Sequence, residues 1–238
     1  MTTIGSVLSV RHLSARIGTS QILHGVDLEV PRNQTTVILG RNGVGKTTLL
    51  RSILGYVEAS GDVELLGRPI DRLPTHKRVR AGIAYVPEDR DVFRSLTVEE
   101  NLRLAERAGQ VPRYDLVFDL FPDLADRRSQ NAGSLSGGQQ QMVALGRGLL
   151  AECELLIVDE PTKGLSPRVV QEVVDVLARV KEGVTILMVE QNLSAAQQLA
   201  DDVVVISEGT VVASGTGEML VDRDKLRGFL GVGRSEEV

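Results

Sequence analysis

Three short stretches of this chain carry residue types suited to phosphate chemistry. Residues 40–47 read Gly-Arg-Asn-Gly-Val-Gly-Lys-Thr, the G-x-x-x-x-G-K-[ST] spacing of a phosphate-binding loop. Gly40, Gly43 and Gly45 let successive backbone N–H groups curl around a polyphosphate, where side chains would block the approach. A helix opening after the loop would add positive potential, the Lys46 ammonium a charge for the β- and γ-phosphates, and the Thr47 hydroxyl a ligand for Mg2+. The second stretch, Leu155-Leu156-Ile157-Val158-Asp159-Glu160, is an apolar run ending in two carboxylates. At the C-terminal end of a strand such acids face the ligand crevice of an open α/β sheet. There Asp159 can hold Mg2+, directly or through water, and Glu160 can polarise a water for attack. A strand ending in two acids is common, so this stretch carries little weight alone. The third stretch, Leu135-Ser136-Gly137-Gly138-Gln139, precedes a helical pattern; its serine hydroxyl and glycine amides form an anion site without a lysine.

The elements around these stretches follow from periodicity. Residues 37–39 read as a buried strand entering the first loop, and Leu49, Leu50, Ile53 and Leu54 then recur at helical spacing with Gly55 as a C-cap. Upstream, residues 7–13, 22–30 and 35–39 form β-like runs, with turn chemistry at 18–20 and 31–33. Downstream, 62–66 reads as a strand, 75–81 as a helix and 83–86 as a buried strand. From 96 to 150 strand-like runs give way to helical periodicity over 98–108, 115–120 and 139–150, the last with Met142, Leu145, Gly146 and Leu149 on its packed face. Strands return at 155–158 and 184–189, flanking a helix with Val169, Val170, Val173, Val174 and Leu177 on one face. Ser166 and Pro167 suit its N-cap and first helical position. Residues 203–207 and 210–214 read as a hairpin around Glu208-Gly209, and a short C-terminal helix is expected to end near Leu230, with only the last few residues disordered. Strand alternating with helix implies a mainly parallel sheet covered on both faces, interrupted by a helical insertion.

Composition narrows the function classes. With 238 residues, 42% hydrophobic and 25% charged, the chain suits one α/β domain with a substantial core. A net charge of −5 and 3% aromatics disfavour nucleic acid as a partner. The densest basic stretch (Arg68, Arg72, Lys77, Arg78 and Arg80, beside His76) reads as a solvated helix face. Cys153 is the single cysteine, which excludes an intrachain disulfide, fits a reducing compartment and reads as a small buried hydrophobe. His12, His24 and His76 show no metal-like clustering. No apolar run approaches a membrane span and the N-terminus lacks a signal-peptide core, so the reading is cytoplasmic unless a partner holds the chain elsewhere.

The order of the three stretches resembles the ATP-binding-cassette family over nearly the whole chain. That resemblance implies a P-loop nucleotidase of RecA-like α/β fold, with an N-terminal antiparallel β subdomain and a helical subdomain. It implies one domain over 1–238, with its core at about 1–88 and 152–238 and the helical part at about 89–151. ATP and Mg2+ are the implied ligands, sandwiched in a head-to-tail dimer. The amides of Gly40, Arg41, Asn42, Gly43, Val44 and Gly45, with Lys46, Thr47 and Thr48, would hold the triphosphate and Mg2+. Ser136, Gly137, Gly138 and Gln139 would reach the γ-phosphate bound to the partner, and Glu160 would be the base. Residues 85–88 fall at the family's Q-loop and Ser166 in its D-loop. Within the family, the phrases at 39–50, 82–88, 96–102 and 189–192 are similar to ATPase subunits of branched-chain amino-acid importers, whose relatives serve urea and short amides. This implies two permease subunits, a sister ATPase or second copy, an extracytoplasmic binding protein acting indirectly, and a place at the inner face of the membrane. The helical insertion and the Glu88 loop would form the docking surface.

Three positions depart from the broad pattern. Glu88 stands where most cassettes have Gln; it can ligate Mg2+ but adds negative charge beside a triphosphate. Gln191 stands where most have the switch histidine; it can hydrogen-bond but cannot become cationic, so it is assigned positioning and Glu160 proton transfer. Ile17 fills the place of the usual adenine-stacking aromatic. Two other readings compete with import: a soluble cassette working on nucleic acid or translation, and an inactive regulatory cassette. The first commonly carries a second cassette, long coiled coils or basic extensions, none of which this chain has; Lys46, Asp159 and Glu160 argue against the second.

Overall fold

The computed structural model describes residues 5–222. Two sheets organise the fold. The larger has strands in the order β10-β9-β3-β8-β7-β6, where β3 is Thr35–Leu39, β6 Ile83–Val86, β7 Leu155–Asp159, β8 Thr185–Val189, β9 Asp202–Ser207 and β10 Thr210–Thr216. All its pairings are parallel except β9–β10, a hairpin turned by Glu208 and Gly209, both at positive φ. The smaller sheet is antiparallel, ordered β2-β1-β4-β5, with β1 Ser6–Ile17, β2 Ser20–Pro31, β4 Ala59–Leu65 and β5 Arg68–Pro69.

The strands of the larger sheet are apolar without a break because both faces are covered. Side chains alternate along each strand: Val37, Leu156, Val158, Ile186 and Met188 enter one core, Ile38, Leu155, Ile157, Leu187 and Val189 the other. The second core lies between the two sheets and encloses α1 (Lys46–Leu54) through Leu49, Leu50, Ile53 and Leu54. Gly55 ends α1 in the left-handed region (φ 78°), its N–H returning to Arg51 O and Ser52 O.

Helices cover the other face. After α2 (Thr75–Arg80) and β6 come α3 (Val98–Arg103), α4 (Tyr114–Leu120), α5 (Pro122–Asp126) and α6 (Gly137–Leu150); between 98 and 150 the described chain forms helices and turns but no strand. Thr97 starts α3 with a capping box to Glu100. The root of α6 lies close to the sheet: a Cβ on Gly148 would meet Val86 Cγ2 at 2.8 Å, and one on Gly146 would meet Val117 Cγ1 at 3.0 Å. Then follow α7 (Pro167–Val180) and α8 (Leu193–Leu199), packed on each other and on the sheet.

Several expectations are corrected. The helix expected over 98–108 stops at Arg103, because Leu104 is 54% exposed and Arg107 instead donates to Ile83 O and Glu152 O, pinning the following loop to the sheet. Ser166 has the extended conformation of an N-cap, but its side chain makes no capping bond. Arg78 is not on a solvated face: it is buried, and its guanidinium donates to Leu73 O, Asp71 O, Ser52 O and Ile53 O, the last two at the C-terminal end of α1. The short helices α5 and α8 were not anticipated. The helix expected near Leu230 and the disordered last residues lie outside the described residues.

Candidate functional site

Lys46, Thr47, Asp159, Glu160 and Gln191 converge at the C-terminal ends of β3, β7 and β8, where an open parallel sheet offers its crevice. The loop between β3 and α1 is constrained by its neighbours. A Cβ on Gly40 would lie 2.4 Å from Ile206 O, and Gly45 has φ 105° with Leu23 Cδ2 2.9 Å from the place of a Cβ. Gly209, in the β9–β10 turn, donates to Val44 O at 3.0 Å and bolts that turn onto the loop. Gly45, the N-cap of α1, has no side chain to cap the helix amides, which leaves them to an anion.

Lys46 is buried and reaches back across the loop, donating to Gly40 O at 2.9 Å and Arg41 O at 3.0 Å. Burial lowers its pKa; Glu160, with Oε1 3.7 Å from Nζ, opposes that. The Thr47 hydroxyl donates to Asp159 Oδ1 at 3.3 Å, and the Tyr85 hydroxyl to Oδ2 at 3.4 Å. Burial pushes the Asp159 carboxyl up to about 6; the Thr47 and Tyr85 bonds resist this, while Glu88 and Glu160 add repulsion. Among the described residues no three His, Cys, Asp or Glu side chains gather as a metal cage. Thr47 and Asp159 instead supply two oxygens, which suits a Mg2+ that takes its remaining ligands from water and phosphate.

Glu160 follows β7 in the left-handed region, φ 46°, with its N–H on Val189 O at 2.9 Å. That bend turns its carboxylate toward Lys46. Oε1 accepts from Gln191 Nε2, while Oε2 is buried without a hydrogen-bond partner. The Lys163 ammonium lies 3.5 Å from Oε2 without hydrogen-bonding it, so this buried acceptor can still take a donor such as water.

Residues that sequence reasoning missed hold these groups. Buried Glu190 accepts from Gln191 N (2.7 Å), Asn192 N (2.9 Å) and Thr162 Oγ1 (2.9 Å), and its carboxyl pKa is raised by burial. It is a second strand-end acid, like Asp159, so the apolar run 184–189 before it was the available signal. Glu88 does not stand free: its carboxylate is paired with the Lys163 ammonium. Arg90 joins Gln141 Oε1 and Lys163 O, both at 3.3 Å. Neither Lys163 nor Arg90 has a spacing that would have revealed it.

Other expected residues stand apart. Ser136 caps α6 with a full capping box, its Oγ accepting from Gln139 N and the Gln139 Oε1 accepting from Ser136 N. Gln139 also donates to Asp123 Oδ2 at 2.7 Å. Ser136 and Gly137 are exposed; a Cβ on Gly138 would meet Val169 Cγ1 at 2.7 Å. No described hydrogen bond links this segment to the loop at 40–47. Ile17 ends β1 and is 55% exposed, with Thr48, half-buried, on α1.

Comparison with known proteins agrees with this geometry. Residues 23–163 match the family described as ABC transporter. The chain is 40% identical to the high-affinity branched-chain amino acid transport ATP-binding protein BraG of Pseudomonas aeruginosa, over 93% of this chain and 97% of that protein. It is 38% identical to a probable branched-chain amino acid transport ATP-binding protein LivF of Archaeoglobus fulgidus, over 90% and 93%. A crystal structure of a nucleotide-free ATP-binding cassette from an ABC transporter superposes with a TM-score of 0.83 at 25% identity, covering 95% of this chain and 98% of that one.

Proposed function

From the premise that this chain belongs to the ABC transporter ATP-binding family, we propose that it is the ATP-hydrolysing subunit of a branched-chain amino-acid importer. The observation that carries the reading is the junction of Lys46, Thr47, Asp159, Glu160 and Gln191 at one sheet edge, at the mouth of a glycine loop.

In this reading the amides of 40–45 and the start of α1 cradle the triphosphate. Lys46 exchanges its loop carbonyls for phosphate oxygens. Thr47 and Asp159 would hold Mg2+, which when bound supplies positive charge to the triphosphate; Glu88 is a further candidate ligand through the carboxylate oxygen not paired with Lys163. Glu160 takes a proton from water as its oxygen bonds to the γ-phosphorus, and the bond to the bridging oxygen breaks toward ADP. Gln191, donating to Glu160 Oε1, orients that carboxylate. Ile17 would lie against the base.

The exposed Ser136 at the start of a 14-residue helix supports a head-to-tail dimer, in which each copy, or a sister ATPase, completes the other's site. No described helix is long and apolar enough to cross a membrane, so permease subunits would supply the solute path and hold the chain at the inner membrane face. An open groove of about 1570 Å3 between α2, β6 and the helical segment supports docking of those subunits. Tyr56 and Leu104 give it exposed apolar surface, and Arg51, Arg80 and Arg147 line it.

Reconstitution with candidate permease and binding-protein subunits tests the assignment. Phosphate release should rise with leucine, isoleucine or valine and should be lost in Glu160→Gln. Stimulation by urea or amides instead would move the cargo, and stimulation by no solute would remove the import reading.

A further inference from the structure

Lys163 lies on the turn between β7 and α7, beside the carboxylates of the site but outside every motif. Its ammonium is paired with Glu88 and lies 3.5 Å from Glu160 Oε2. Its backbone is held as well: Lys163 O accepts from Arg90 at 3.3 Å, and Lys163 N donates to Glu160 O at 3.1 Å. Glu88 and Arg90 both belong to the loop after β6, so that loop grips Lys163 by side chain and main chain together. Arg90 and Asp91 there have φ of 65° and 45°, a conformation that bulky residues rarely adopt.

Charge explains why a lysine is wanted. Glu88, Asp159, Glu160 and Glu190 surround a place that also receives a polyphosphate, and Lys46 and Lys163 are the ammonium groups paired among them. Lys46 is committed to the phosphate loop. The side chains of Glu88 and Lys163 are 31% and 55% exposed, and so open a pair adds little to fold stability. Its effect should therefore appear in what binds beside it.

We propose that Lys163 is a positioning residue for the nucleotide: it offsets the Glu88 carboxylate beside the triphosphate and screens it from Glu160. The inference rests on the ATP reading above. It makes Glu88 and Lys163 one unit, in which the acid is tolerated because the lysine is there.

Mg-ATP binding to the full-length chain, followed by calorimetric titration, tests this with Lys163→Met, Glu88→Gln and the double variant. Lys163→Met should weaken binding about 10-fold by leaving a carboxylate unpaired beside phosphate, with the melting temperature within about 2 °C of the parent. The same change in the Glu88→Gln background should cost about 2-fold or less, the non-additivity expected of a contacting pair. Equal losses in both backgrounds, or no loss in either, overturn the assignment. A fall in melting temperature above about 5 °C makes Lys163 a structural strut and overturns it too. Lys46→Ala is the control for the reading beneath: binding that survives it shows that ATP does not use this loop, and both proposals fall. Binding lost in Lys46→Ala but indifferent to Lys163 removes only the positioning role.

Discussion

Replacing Arg78 by methionine should destabilise the phosphate-loop helix from its far end. The guanidinium donates to four carbonyls, those of Leu73, Asp71, Ser52 and Ile53. All four lose that donor; Ser52 O keeps the Gly55 N–H at 3.0 Å, so three carbonyls are left without one. At about 1–3 kcal/mol for each buried polar group left unsatisfied, the gross loss is roughly 3–9 kcal/mol, toward the lower end because the bonds to Leu73 O and Asp71 O are only part-buried. Burial also lowers the pKa of this arginine, so removing the charge returns part of its desolvation, leaving a net loss of about 2–4 kcal/mol. For a chain of this length that corresponds to roughly 5–15 °C in melting temperature. Scanning calorimetry measures it directly, and Arg78→Lys should recover only part, because an ammonium cannot span carbonyls on both sides of the fork. Since α1 begins at Lys46, Mg-ATP should restore much of the lost stability by mass action. A methionine variant that melts within about 2 °C of the parent would refute the reasoning.

Three further outcomes are expected. Asp159 in the folded, metal-free chain titrates at about 6 against an ordinary 3.8, so raising pH through that window should cost the parent up to about 3 kcal/mol relative to Asp159→Asn; urea titrations at several pH values without Mg2+ check the sign. Below pH 4 the two should run parallel, and equal slopes across the window would contradict the burial argument. Gly148→Ala places a Cβ 2.8 Å from Val86 Cγ2 and should destabilise by about 1–3 kcal/mol, with recovery when Val86→Ala is added. Ile17→Tyr should tighten ATP binding by about 1 kcal/mol or more if base stacking is what the site lacks; equal titration curves would count against it.

Legibility in the sequence followed the range of the interaction. Runs such as Thr35–Leu39 and Leu155–Asp159 announced themselves because a strand buried on both faces must be apolar throughout. The phosphate loop announced itself because Gly45 takes φ 105° and a Cβ on Gly40 would meet Val44 Cγ2 at 2.8 Å, demands set within the loop itself. Helix ends were less readable. Residues 104–108 carry apolar and charged side chains at helical spacing, yet the chain leaves the helix where Arg107 finds carbonyls distant in sequence. Arg78 failed for the same reason: among arginines and a lysine it looked solvated, and only folding brings the end of α1 to it. Lys163 and Glu190 work through partners 75 and 28 residues away, a distance that no periodicity registers.

The clasped root of α6 has a mechanical consequence. Gly146 and Gly148 press this helix against Leu102, Val117, Val86 and Leu156, and Arg147 ties its last turns to Asp91 O. Its other end, about 15–18 Å from that clasp, carries Ser136 on the surface and rests on Val169 through Gly138 and on Asp123 through Gln139. A rod held at its root passes rotation to its tip: a tilt of about 10° at the clasp sweeps the serine through about 3 Å, the length of a hydrogen bond. A load on the α3–α4 side of that clasp is thereby felt at the serine, and at the α5 and α7 side chains it rests on.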